Sequence, residues 1–170
     1  MNNEQQETIA TETELVINMT IAAWYSLNKR MSELLAKLSD DDLAAETAPG
    51  RNSGIYLLGH LATVNDGMLA LMGLQQRLRP ELEDTFIKSP DRSGKLMPAA
   101  TELRMYWQQV NDTLAGHFRK MSTEEWFGRH MSVSEEDFKK EPHRNKLNIL
   151  ISRTGHQHYH MGQLAYLVKK

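Results

Sequence analysis

Hydrophobic residues recur three or four positions apart in four long segments of the chain, with polar residues between them. In the first segment the apolar positions run from Ile17 through Trp24 and Met31 to Leu38. This spacing places the apolar side chains on one face of a helix, so each segment is predicted to be an amphipathic helix with a buried face. The predicted helices cover about 11–38, 53–73 and 99–121, and a last helix starts between 142 and 145 and runs to 170.

Residues that favour helix starts precede these segments and several shorter ones. A Ser or Thr followed three residues later by an acidic residue satisfies free backbone N–H groups at the helix start. Asn52 or Ser53 is the expected cap of the second long helix. The acidic cap pairs are Thr11–Glu14, Ser39–Asp42, Ser122–Glu125, and either Ser132–Glu135 or Ser134–Asp137.

Two long connections separate the later helices, at about 74–98 and 128–144, and both contain Pro or Gly. They are too long for tight hairpins, so the first is predicted to be a crossover. Four long amphipathic helices with such connections predict an all-α four-helix bundle of the up-down-down-up type. The chain is expected to form a single domain over 1–170, with a disordered tail at 1–10.

The amino-acid composition argues against several classes of function. With 20 basic and 22 acidic side chains among 170 residues, the chain has no positive excess for neutralising phosphates, so no nucleic-acid partner is expected. The absence of cysteine excludes thiolate metal sites and a cysteine nucleophile. Neither a membrane-spanning apolar run nor a basic-then-apolar signal peptide is present, so a soluble cytoplasmic protein is expected.

The predicted chemistry centres on histidine. His156 and His160 are four residues apart and share one face of the last helix, while His158 points to the other side. Because the face they share is otherwise apolar, the pair either hydrogen-bonds inside the core or binds a metal ion. The catalytic residues themselves are unknown from the sequence.

A third ligand is needed to hold a metal with one position open. His60 lies on the apolar face of the second helix and is the candidate, although a single histidine in such a place is more often a core residue. His117 is a weaker candidate on the third helix, and His130 and His143 are expected to be solvated. Three neutral imidazoles would suit Zn²⁺ or Ni²⁺ and would leave the charge of the ion available to lower the pKa of a bound water to about 7.

Asp66, Arg153 and the tryptophans are not expected to be metal ligands. Asp66 is about 120° from the face of His60 and does not easily complete the site. Arg153 falls on the histidine face, where an interhelical salt bridge is more expected than contact with an anionic substrate. The three tryptophans are expected in the core.

The segment Asn52-Ser53-Gly54-Ile55-Tyr56-Leu57-Leu58-Gly59-His60-Leu61-Ala62, followed by His156-x-x-x-His160-Met161-Gly162-Gln163, resembles the DinB/YfiT-like superfamily of metalloenzymes. The resemblance implies a four-helix bundle with a long crossover, often a homodimer. It also implies a Zn²⁺ or Ni²⁺ ion held by His60, His156 and His160. Relatives often have a basic residue where this chain has Met161.

Two functions follow as hypotheses. In the first, the resemblance implies a metal-dependent hydrolase or thiol S-transferase that activates water or a low-molecular-weight thiol toward a small-molecule substrate. Gln163 would then orient a ligand or the substrate. In the second, the chain is a non-catalytic dimeric helical protein, and its histidines are structural or bind metal only for stability.

Overall fold

A computed structural model describes the backbone of residues 3–169 and the side chains of residues 12–169. Eight α-helices make up most of this part of the chain, and the residues described in it include no strand. They are α1 Asn3–Lys37, α2 Asp40–Ala44, α3 Gly54–Leu71, α4 Glu83–Phe86, α5 Ala100–Phe118, α6 Thr123–Phe127, α7 Glu135–Lys140 and α8 Lys146–Leu164. Short 3₁₀ turns occupy Pro80–Leu82 and Ala165–Leu167. The predicted all-α class is confirmed.

The four long helices pack around one core. Helix α3 packs against α5 and α8, and α1 packs against α8 and α5. Near the start of α5, Arg104 donates to the carbonyl oxygens of Leu35 and Leu38 at the end of α1. All three tryptophans are buried in the core, as predicted. The up-down-down-up order and the single-domain boundaries stay predictions.

Most of the predicted helix caps form. Ser39 and Ser122 make complete capping boxes at α2 and α6. Of the alternatives left open, Ser53 caps α3 and Ser134 caps α7. The predicted start at Thr11 is wrong because the backbone of α1 is already helical from Asn3, eight residues earlier. The predicted disordered tail includes Met1 and Asn2, which lie outside the described residues.

The first crossover is anchored by a buried carboxylate. Asp66 in α3 is 0% exposed and accepts hydrogen bonds from the backbone N–H groups of Leu78 (2.7 Å) and Arg79 (3.1 Å). It also lies 3.5 Å from the guanidinium of Arg77, which pairs on its other side with Glu83. The crossover is therefore held against α3 and leads directly into α4.

A layer of buried amides joins the four long helices, and sequence analysis missed it. Asn28 of α1, Asn65 of α3, Asn111 of α5 and Gln157 of α8 are each at most 9% exposed. The Gln157 amide donates to Asn28 (2.8 Å), and Asn65 donates to Asn111 (3.0 Å) and Gln157 (3.5 Å). Buried amides are costly unless paired, so this layer favours one alignment of the helices along their axes.

None of the described helices combines the length and the apolarity needed to span a bilayer.

Candidate metal centre

Three histidines from two helices meet at one point beside the crossover. His60 Nε2 lies 3.3 Å from His156 Nε2, and His160 Nε2 lies 3.0 Å from the same atom. One ring nitrogen from each residue falls within 4.8 Å of the other two. Residues separated by about a hundred positions therefore present their imidazole nitrogens to a shared point, as the sequence analysis predicted.

The spacing of these nitrogens suits a metal ion. A tetrahedral zinc with Zn–N bonds of about 2.0–2.1 Å sets its ligand nitrogens about 3.3–3.4 Å apart. The observed separations of 3.3 and 3.0 Å are close to this value. The donor set, three neutral imidazoles without a carboxylate, is one that zinc, nickel and copper accept.

Two of the imidazoles are oriented by carbonyl oxygens behind them. His60 Nδ1 donates to the backbone carbonyl of Phe86 in α4 (2.7 Å), and His160 Nδ1 donates to the side-chain oxygen of Gln163 (2.7 Å). A neutral ring that donates from Nδ1 has a lone pair on Nε2. Both lone pairs thus face His156, and hydrogen bonds of this kind orient metal-binding histidines in other proteins.

Protein groups alone do not satisfy this cluster. The single proton that His156 Nε2 can carry satisfies only one of the two facing lone pairs. Its other nitrogen, Nδ1, is buried and has no hydrogen-bond partner among the described residues. A cation at the shared point would satisfy all three Nε2 atoms together.

The site keeps its imidazoles neutral. Burial and, to a smaller extent, the charges of His160, His60 and Arg153 together lower the pKa of His156 to about 4. Burial is also the main cause of the lowered pKa values of His60 and His160, although their carbonyl partners oppose it. Neutral imidazoles at pH 7 have lone pairs free for a metal ion, and binding needs no proton release.

These shifts predict how the stability of the metal-free protein depends on pH. In the unfolded chain the three imidazoles take up protons below about pH 6.5, whereas folded His156 does so only near pH 4. The free energy of unfolding should therefore fall as the pH falls from 6.5 toward 4, and these groups should have no effect above that range. Urea unfolding of the metal-free protein at several pH values measures this slope.

The variant His156→Gln isolates the contribution of the site from that of the carboxyl groups. Its unfolding free energy should depend less steeply on pH than that of the wild type between pH 6.5 and 4. Equal slopes for the two proteins would contradict the prediction.

A glycine next to His60 lets the crossover approach α3. A Cβ atom on Gly59 would lie 2.3 Å from two ring carbons of Phe86, which is 0% exposed. The carbonyl of that same Phe86 orients His60. The Gly-His pair in the sequence therefore has a physical reason, since a side chain at 59 would displace the residue that orients the neighbouring imidazole.

Gly59→Ala should destabilise the fold by about 1–3 kcal/mol through overpacking. It should also weaken metal affinity by roughly tenfold, because the carbonyl behind His60 must shift. Thermal unfolding and competition with a metal chelator measure the two effects.

Gly67→Ala is the matched control because it lies in the same helix and has no atom within 4 Å of the added Cβ. It should leave affinity unchanged and stabilise the helix by up to about 1 kcal/mol. If both substitutions changed stability and metal affinity equally, the role given to Gly59 would be wrong.

The remaining histidines lie away from the cluster. His158 is exposed, and its Nδ1 donates to the carbonyl of Thr154 (3.0 Å), in agreement with its predicted position on the other side of the helix. His117 contacts the side-chain oxygen of Gln75 (2.9 Å) and does not join the site. His143 is exposed, as predicted.

His130 corrects one expectation. It was predicted to be solvated but is only 9% exposed, and its Nδ1 accepts a hydrogen bond from the backbone N–H of Ser132 (3.2 Å). The turn after α6 folds back on the body of the protein, where the backbone N–H of Met131 bonds to the carbonyl of Leu71 (2.8 Å). Its position in a loop therefore did not imply exposure.

Arg153 corrects another expectation. The sequence favoured an interhelical salt bridge, but within residues 12–169 no ion pair or hydrogen bond to this guanidinium is found. Asp66, the carboxylate of α3, is engaged by the crossover.

A cavity of about 290 Å³ lies at the end of α8, next to two residues that contact His160. Its wall includes Gln163, which orients His160, and Tyr159, whose ring lies 5.0 Å from the His160 ring. Arg51 and Tyr166 also line it. The cavity therefore borders the side chains that contact His160 on α8.

The family model described as DinB superfamily matches residues 23–164, which includes most of the chain and all three clustered histidines. No curated protein matches the chain.

Proposed function

This chain belongs to the DinB superfamily, and from that membership we propose that it is a metal-dependent enzyme of the hydrolase or thiol S-transferase type. We assign His60, His156 and His160 as the metal ligands. The observation that supports the proposal is the convergence of three Nε2 atoms at separations that suit a divalent ion.

The residues around the site would have defined tasks. Phe86 and Gln163 hold the rings of His60 and His160 so that both Nε2 lone pairs face inward. A bound divalent ion supplies Lewis acidity, which lowers the pKa of a coordinated water or thiol. Three neutral ligands preserve the full charge of the ion, and three ligands leave a tetrahedral ion one position for the reactant.

Zn²⁺ and Ni²⁺ are the proposed ions, since imidazole nitrogen suits both. The proposed reactant is a small molecule, with either water or a low-molecular-weight thiol as the activated nucleophile. The cavity of about 290 Å³ lined by Tyr159 and Gln163, two residues that contact His160, supports this size class.

The test begins with protein purified without chelators or added metal. Elemental analysis should find about one zinc or nickel per chain. The loaded protein is then assayed for transfer of small thiols to a panel of electrophiles and for hydrolysis of small esters and amides. Bound metal without turnover in either assay would favour the alternative, a non-catalytic protein in which the metal stabilises the bundle. Absence of metal would reject the metal-dependent enzyme and favour the form of the alternative in which the histidines are structural.

A homodimer is part of the proposal. The outer side of α1 exposes Leu15, Val16 and Met19, which are 51–62% exposed in the single chain. Light scattering coupled to size exclusion would give the mass in solution. A monomer at all concentrations would reject this part and leave the metal centre unaffected.

A further inference from the structure

One arginine differs from the others of similar burial. Six arginines are partly buried in the described part of the chain, and five of them form ion pairs. The five paired residues are Arg77, Arg79, Arg104, Arg129 and Arg144. Arg153 is the sixth, and it makes neither an ion pair nor a hydrogen bond with residues 12–169.

Arg153 lies on the face of α8 that carries the metal ligands. It precedes His156 by three residues and His160 by seven, so all three side chains leave one side of the helix within two turns. Its positive charge acts on both His60 and His156, and burial lowers the pKa of its guanidinium. The guanidinium is thus carried by the same face of α8 as His156 and His160 and is only partly exposed to water.

Within residues 12–169, no carboxylate pairs with this guanidinium. The histidine cluster contains no carboxylate, and Asp66 is occupied by the crossover and Arg77. If the histidines held a divalent ion, its positive charge would add to the positive charge of Arg153. Partly buried charges are costly without a partner, and guanidinium pairs with oxyanions through two parallel hydrogen bonds.

We propose that Arg153 binds an oxyanion, a carboxylate or phosphate, of the molecule on which the histidine centre acts. The substrate or the thiol is then a small anionic compound, with its anionic end on Arg153 and its reacting atom at the three imidazoles. This inference rests on the proposed function because it needs a metal bound by the three histidines.

The test measures binding to protein loaded with Co²⁺ in place of the native ion. Thiolate binding to cobalt produces a charge-transfer absorption that reports affinity without any turnover. The probes are ω-mercaptocarboxylates of increasing length, each paired with the mercaptoalcohol of equal length, and monothiophosphate as the phosphate arm. A charge-assisted pair with arginine should make the acid bind roughly tenfold or more tightly than its alcohol at the length that spans the two sites.

Substitutions then assign this preference to one residue. Arg153→Met should remove the preference for the acid, and Arg153→Lys should keep part of it. Arg119→Met, at the exposed end of α5, is the matched control and should behave as wild type. Comparing the acid series with monothiophosphate decides between carboxylate and phosphate.

Three results would overturn the inference or its premise. Equal binding of acid and alcohol by wild-type protein at every length would reject it, and so would a preference that persists in Arg153→Met. If wild-type protein takes up no Co²⁺, the proposed metal centre itself fails. Should Arg153→Met not fold, as judged by circular dichroism, the wild-type comparison and Arg153→Lys still decide.

Discussion

His160→Ala is expected to remove stoichiometric metal from protein purified under native conditions. The substitution deletes one of three nitrogen donors and leaves Gln163 without the ring that it orients. Loss of a single orienting hydrogen bond behind a ligand typically costs 10–100-fold in metal affinity, so loss of the ligand itself should cost more than about a hundredfold. Elemental analysis and competition with a chromophoric chelator measure the change.

His158→Ala is the matched control for this experiment. His158 is on the same helix two residues away, is exposed, and bonds to the backbone of its own helix. It should keep the metal content and affinity of the wild type. Wild-type metal content in His160→Ala would show that the ligand assignment is wrong.

Asp66→Ala is expected to lower the free energy of unfolding by about 3–5 kcal/mol, more than Gly59→Ala. It removes a fully buried carboxylate and leaves Arg77 partly buried, with two backbone N–H groups of the crossover lacking their acceptor. Chemical unfolding monitored by circular dichroism gives the change. Metal affinity should fall as well, because the same crossover leads to the Phe86 carbonyl behind His60.

Asp84→Ala tests whether burial is the cause. Asp84 pairs with Lys95 in the same crossover, but both side chains are about half exposed. Exposed ion pairs contribute about 0–1 kcal/mol, so this substitution should have little effect. Similar losses for the two variants would contradict the role given to the buried carboxylate.

Those features of the site that depend on spacing within one helix could be predicted from the sequence. The four-residue separation of His156 and His160 determines that both rings leave one side of a helix. The position of His60 on an apolar face indicated that it points inward. Their meeting depends on how α3 and α8 pack, which spacing within one helix does not determine. The prediction that His60 meets His156 and His160 came from the family resemblance.

Other features depend on contacts between distant segments. The anchoring role of Asp66 is not predictable from the sequence, because its partners at 77–79 lie in a connection whose path the sequence does not specify. The same reason explains His130, which a returning turn covers. The contact between Gly59 and Phe86 is equally non-local, although the Gly-His pair in the motif was a signal that could have suggested a close approach.

The amide layer was missed because each member is unremarkable on its own helix. Asn28, Asn65, Asn111 and Gln157 are polar residues in amphipathic segments, and only their meeting at one level shows a pattern. Periodicity assigns such residues to solvent, whereas in the folded protein they satisfy one another in the core.

The position of this layer links assembly of the protein to loading of the metal. Gln157 directly follows His156, so sliding α8 by one turn would break its bonds to Asn28 and Asn65 and also carry the imidazole away from His60. A chain with misaligned helices would thus lack both its interior polar contacts and a complete set of donors. Metal uptake should consequently distinguish correctly assembled molecules from collapsed but misregistered ones.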